Sequence, residues 1–176
     1  MILMIHIYAG ADSLSDARLH CGHNIMKARI GQNGLSEHKR EGDLCTPTGI
    51  YPLRRVFYRA DRIARPVTAL PLVPLAPTDG WCDDPASPDY NRLVTLPHPA
   101  RHERLWRDDH VYDLIVVIGY NDEPARSGAG SAIFMHLQRA DLAPTEGCVA
   151  LTEKDLRTVL AARAQAITIH PRGVQA

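Results

Sequence analysis

The chain has 176 residues, enough for one domain with a real core and short of what two usually need. Twenty basic residues (Lys and Arg) balance twenty acidic ones, so no basic face is implied and nucleic acid is a poor partner. Aromatic residues are few and prolines number thirteen, which favours a β-rich domain over a helical bundle.

The N-terminus through Tyr8 is apolar. It lacks a Lys/Arg region, its apolar run is short and His6 interrupts it. It therefore reads as a first strand, Ile2–Tyr8, and not as a secretory signal. No stretch is long enough for a transmembrane helix, so no membrane span is expected. Ala17–Cys21 and His23–Arg29 pattern as a hairpin about Gly22, and Gly31-Gln32-Asn33-Gly34 as a turn. A polar loop, Glu37–Thr46, runs through Thr46-Pro47-Thr48-Gly49 into a strand over Ile50–Tyr58.

Arg65–Pro99 is rich in proline but also holds Trp81, Tyr90 and several leucines. It reads as an insert packed on the domain, either shaping a substrate groove or forming a surface excursion. His102–Arg107 suggests a short helical turn around Leu105 and Trp106. Val111–Tyr120 is the clearest strand, apolar on both faces and hence central. After a turn-rich loop, Asn121–Gly130, a further strand covers Ala132–Leu137. Thr152–Ala164 is the one good helix, with Thr152 as cap, Glu153 and Asp155 in the first turn, and an apolar stripe of Leu156, Val159 and Leu160. Ile167–His170 is a last strand. There are no internal repeats, and the expectation is one domain over residues 1–176.

Four cysteines occur, Cys21, Cys45, Cys82 and Cys148, at long and irregular spacings. There is no C-x-x-C, and Cys21-x-His23 lacks zinc-finger spacing. The first three read as structural or incidental. Cys148 differs, because it follows Gly147 at the mouth of the apolar run Val149-Ala150-Leu151. A cysteine so placed suits nucleophilic catalysis. Its N–H and that of Gly147 can face one reacting carbonyl oxygen, and His136, at the end of the strand before it, can take the thiol proton. The plainer alternative is a buried small hydrophobe and a satisfied core histidine.

Other clusters are weaker. Trp81-Cys82-Asp83-Asp84 and Arg107-Asp108-Asp109-His110 could supply metal ligands, but adjacent acids more often cap turns, and no metal is expected. Lys39, Arg40, Arg54 and Arg55 either hold substrate carboxylates or are solvated charges. His6, His20, His23, His38, His98, His102, His110 and His170 show no partner pattern.

The segment Pro144-Thr145-Glu146-Gly147-Cys148-Val149-Ala150-Leu151, with His136 upstream, resembles the active-site motif of the L,D-transpeptidase (YkuD-type) catalytic domain family. That motif is a histidine, a short gap, then Ser/Thr-His-Gly-Cys-hydrophobic-Asn/Arg. Lys39-Arg40-Glu41-Gly42-Asp43 running into Thr46-Pro47-Thr48-Gly49-Ile50-Tyr51 is similar to a second family segment that begins a core strand. The likeness spans about Gly31 to Leu151. Glu146 stands where the motif has His, Ala150 where it has Asn or Arg, and the gap from His136 to Thr145 is shorter than usual.

The resemblance implies a mainly β fold, a β-sandwich with one good helix and the proline-rich insert. It implies a cysteine acyltransferase acting on peptidoglycan stem peptides, with Cys148, His136 and Gly147 catalytic, Thr145 and Glu146 at the substrate, and no metal or organic cofactor. Glu146 either points away, binds a substrate amine or is a solvated acid. A monomer is the expected state. The family implies the cell envelope, whereas the apparent lack of an export signal points to the cytoplasm. A carboxypeptidase or amidase using water as acceptor, and a non-catalytic wall-binding domain, are the competing functions.

Overall fold

The structure, a computed structural model, describes residues 3–175. Period-two alternation builds the N-terminal strands. β1 (Leu3–Ala9) buries Ile5 and Ile7, β2 (Asp16–Cys21) buries Ala17, Leu19 and Cys21, and β3 (Asn24–Arg29) buries Met26 and Ala28. β2 and β3 form the expected hairpin, with Arg18 opposite Lys27 and His20 opposite Ile25. Short β4 (Leu35–Ser36) and β5 (Thr46–Pro47) pair in parallel beside the site.

β6 (Gly49–Tyr58) is the long strand, and β7 (Leu72–Pro74) adds to it in parallel. β8 (Asp79–Cys82), β9 (Leu93–Thr95) and β10 (His102–Arg104) make a separate three-stranded sheet in the order β10-β8-β9. β11 (Leu114–Ile118), β12 (Phe134–Leu137), β13 (Val149–Leu151), α1 (Glu153–Ala161) and β14 (Ala164–Ile169) complete the chain.

The main sheet runs β11-β12-β13-β3-β2-β1-β14-β6, and β6 pairs again with β11. The expected sandwich is thus realised as one closed, barrel-like sheet, which leaves no free edge among those eight strands. Its interior gathers Ile5, Leu19, Val116, Met135, Val149 and Ile167, with Leu156, Val159 and Leu160 of α1 in the same cluster. The Thr152 hydroxyl caps α1 by accepting the Asp155 N–H at 3.1 Å.

β11 is buried on both faces, as its composition predicts. Leu114, Val116 and Ile118 face the main core, while Ile115 and Val117 join a second cluster with Phe57, Trp81, Leu105, Phe134 and Cys148. This second cluster lies between the barrel wall and the three-stranded sheet.

Three expectations shift. The helical turn over His102–Arg107 is instead strand β10 at its start, because Glu103 pairs opposite Trp81 and sheet pairing overrides local pattern. The helix stops at Ala161: Arg163 turns left-handed (φ 64°) and frees Ala164 to begin β14. β11 is shorter than Val111–Tyr120, because Asp113 is buried and bonded to Arg62 and His110 ahead of the ladder. Ile2 of the expected first strand lies outside the described residues.

Candidate active site

Parallel pairing of β12 with β13 sets Met135 beside Val149 and His136 beside Ala150. Alternation then puts Phe134, His136 and Cys148 on one face, away from the main core. His136 lies within β12, and Cys148 immediately precedes β13.

A hydrogen-bonded knot holds the turn before Cys148. The Thr145 N–H donates to Ile30 O at 3.0 Å, and the Gln32 N–H donates to Thr145 O at 2.9 Å, tying the turn to the chain after β3. The Thr145 hydroxyl donates to Cys148 O at 2.6 Å and accepts from the Gly147 N–H at 3.1 Å. Gly147 sits at φ 147°, and a Cβ there would lie 2.8 Å from Cys45 O, so only glycine fits. The buried Thr46 hydroxyl accepts the Gly31 N–H at 2.9 Å and donates to Gly147 O at 2.8 Å.

Both Thr145 and Gly147 line the cavity. Thr145, expected at the substrate, has its hydroxyl engaged inside the turn. The Gly147 N–H, expected as half of an oxyanion hole, is given to that hydroxyl. The Cys148 N–H has no acceptor among the described residues.

The thiol of Cys148 donates to Ala132 O at 3.2 Å, and its sulfur accepts the Phe134 N–H at 3.4 Å. Ala132 is left-handed (φ 53°), an uncommon backbone state for a residue with a Cβ. Asn91 fixes that residue: its Oδ1 accepts from the Ala132 N–H at 3.0 Å and from Trp81 Nε1 at 2.9 Å. Its amide donates to Tyr120 O and Asn121 O. Through Asn91 and Trp81, the Arg65–Pro99 segment reaches the backbone that receives the thiol.

His136 is buried, and its Nδ1 donates to Leu137 O at 2.9 Å, which leaves Nε2 as the basic nitrogen. Its ring meets that of Tyr112 edge to face at 5.3 Å. No hydrogen bond joins it to Cys148 among the described residues. Burial lowers the His136 imidazole to about 4, against the opposing pull of the Leu137 carbonyl. Burial above all, with Glu103 and Glu146, pushes the Cys148 thiol up to about 12, against the Phe134 N–H and Lys39. The pair is therefore neutral on both sides at pH 7. A cysteine already ionised by its histidine is not what this resting state holds.

Both side chains face a cavity of about 510 Å³. Glu146 lies exposed on its rim. Lys39 reaches its wall but is ion-paired to Asp43 with little exposure, and Arg54 is held by Asp122 (2.8 Å) and Glu123 (2.9 Å). Among the described residues no group of three or more His, Cys, Asp or Glu could hold a metal, and all four cysteines are free thiols.

The family model for the L,D-transpeptidase catalytic domain (YkuD) matches residues 18–165. The chain belongs to this family. No curated protein and no solved structure matches it. Membership places it among the L,D-transpeptidase-type enzymes that act on peptidoglycan, and the closed β fold with one helix agrees. The match begins within β2 and ends within β14, so it embraces both motif segments and the three-stranded sheet between them.

Sequence reading missed several residues around this cavity. Glu103 accepts the Tyr112 hydroxyl at 2.7 Å, and burial raises its carboxyl to about 6. Nothing local marks Glu103; only the pairing of β10 with β8 brings it in. Thr46 was legible as a motif residue but not as a support beneath Gly147. Away from the cavity, His6 Nδ1 and His170 Nε2 meet at 3.2 Å, with Tyr8 stacked on His170 at 4.3 Å. Parallel pairing of the first and last strands makes that contact.

Proposed function

We propose that the chain is a cysteine acyltransferase on peptidoglycan stem peptides, an L,D-transpeptidase working through a thioester on Cys148, with residues 1–176 acting as one catalytic unit. The observation that carries this reading is the placement of Cys148 and His136 on one face of adjacent parallel strands, against a common cavity, with His136 Nδ1 tied to a backbone carbonyl.

In this mechanism the donor peptide carbonyl enters over the sulfur. His136 Nε2 removes the thiol proton as the sulfur attacks, so that ionisation and bond formation go together and no stable thiolate precedes them. The thiol leaves Ala132 O to do so. The Cys148 N–H meets the developing oxyanion, where one preorganised donor is worth about 3 kcal/mol of barrier. His136 then protonates the departing amine, a D-Ala nitrogen by family analogy. A second stem's side-chain amine attacks the thioester, loses its proton to His136 and restores the thiol. Thr145 and Gly147 position the nucleophile, and Glu146 stands at the rim where substrate enters.

The enclosed, half-apolar cavity with an uncovered mouth suits an amine acceptor as well as water, and the acceptor decides between cross-linking and trimming. Mass spectrometry of purified muropeptides incubated with the protein and with Cys148→Ala tests the reading. Cross-linked dimers formed only by the unaltered protein are the expected result. Trimmed monomers would shift the assignment to a carboxypeptidase, and unchanged muropeptides would overturn it.

A further inference from the structure

The cavity has an unequal charge pattern. Its cationic wall residues each have a carboxylate partner: Lys39 with Asp43, Arg107 with Asp109 at 2.6 Å, and Arg139 with Asp141 at 3.3 Å. Three of its glutamates have no cation partner among the described residues. Glu41 takes hydrogen bonds from the hydroxyls of Tyr90 and Ser131, Glu103 takes one from Tyr112, and Glu146 is on the rim. The uncompensated charge facing Cys148 is therefore negative.

Glu103 is the most sharply placed of the three. β10 holds it opposite Trp81, whose ring packs on Phe134 at 5.1 Å, next to the sulfur. Its Oε1 is fixed by the Tyr112 hydroxyl, and the Tyr112 ring in turn touches His136. Its Oε2 has no partner among the described residues, yet it is not a buried unsatisfied atom. Glu103 lines the cavity, and that oxygen keeps some accessible surface.

We propose that Glu103 is a specificity-determining residue of this site: the carboxylate oxygen that Tyr112 leaves unbonded receives a substrate ammonium group and holds it beside the Cys148 thiol. The proposal rests on Cys148 being the reacting residue. The cations of this wall are already ion-paired, Arg107 acting on Glu103 only at longer range, and a fixed carboxylate in a confined cavity raises the local concentration of cations. The same contact also helps the chemistry. Glu103 is the largest charge opposing ionisation of Cys148, after burial itself. An ammonium on Glu103 cancels that opposition, so a ligand that fits also eases loss of the thiol proton.

The test is labelling of Cys148 by methanethiosulfonate reagents of like size and different charge: 2-aminoethyl (cationic), 2-hydroxyethyl (neutral) and 2-sulfonatoethyl (anionic). In each reaction the thiol loses its proton, a disulfide forms and methanesulfinate leaves. Peptide mass mapping reads Cys148 alone, apart from the other three cysteines. The cationic reagent should label the unaltered protein about tenfold faster than the anionic one, in line with electrostatic enrichment. Glu103→Gln should lose most of that ratio while labelling faster with the neutral reagent. Glu103→Asp, which keeps the charge, should keep much of the ratio. A ratio unchanged in Glu103→Gln would overturn the proposal, as would all three reagents slowing together, the sign of a merely structural role. Labelling requires no turnover, so inactivity on muropeptides would count against the acyltransferase reading and leave this result standing on its own.

Discussion

Thr46 and Gly147 stand 101 residues apart in the chain and share a hydrogen bond, hydroxyl to carbonyl, at 2.8 Å. The same hydroxyl takes the Gly31 N–H at 2.9 Å. Thr46→Val keeps the shape and removes both bonds, leaving a buried donor and a buried acceptor unmet. Stability should fall by roughly 2–6 kcal/mol, since each of the two orphaned groups costs about 1–3 kcal/mol. Thr46→Ser should recover most of it. Urea denaturation of the three proteins reads the difference, and a valine variant as stable as the parent would show that the knot is dispensable.

Cys148 should behave as a protonated, sheltered thiol at neutral pH. Its iodoacetamide rate should be slow at pH 7 and climb about tenfold per pH unit through pH 10, because only the thiolate reacts. The cause is burial, with the thiol pushed up to about 12. A rate already on its plateau at pH 7 would mean an ion pair with His136 and not the neutral pair described.

His136 should make folding sensitive to acid. Its folded imidazole sits at about 4 and its ordinary value is 6.5. As pH falls from 6.5 to 4 the unfolded chain takes up a proton that the folded chain refuses, so stability held above pH 6.5 is lost through that window. The 2.5-unit gap corresponds to about 3 kcal/mol. Glu103, raised from 4.5 to about 6, pulls the opposite way between those values. His136→Gln removes the first effect alone, so denaturation midpoints followed from pH 7 to pH 4 should decline more gently in that variant.

Asn91 should matter to reactivity although it touches no sulfur. Replacing it with Leu removes the acceptor for Trp81 and for the Ala132 N–H, and with them the hold on the carbonyl that receives the thiol. Loss of a buried network member predicts destabilisation of about 2 kcal/mol or more. Limited proteolysis should then cut first within residues 75–104. An unchanged cleavage pattern would show that the three-stranded sheet is anchored by its apolar contacts alone.

Much of this was legible in the sequence for a physical reason. β11 and β12 are short apolar runs that suit buried strands and α1 carries helical periodicity, and Gly147-Cys148 with His136 forms a pattern whose chemistry requires those residue types. What was not legible depends on pairing between distant segments. Glu103 enters the site only because β10 lies against β8. The use of the Thr145 hydroxyl inside the turn has no local signature either, and the state of the thiol depends on how deeply two strands and the three-stranded sheet enclose it. The left-handed Ala132 has no local signature, since alanine is not a residue that favours positive φ.

The order of strands also bears on how the protein could be trimmed. β1 stands between β2 and β14 in the ring, yet it precedes the span shared with the family, residues 18–165. A fragment cut to that span keeps every residue of the cavity and loses the seam. β2 and β6 would each be left with an unpaired ladder, and Leu19 with solvent where Ile7 had been beside it. Such a fragment should associate with copies of itself at those open ladders before it unfolds. Kinship and mechanical integrity thus have different borders in this chain.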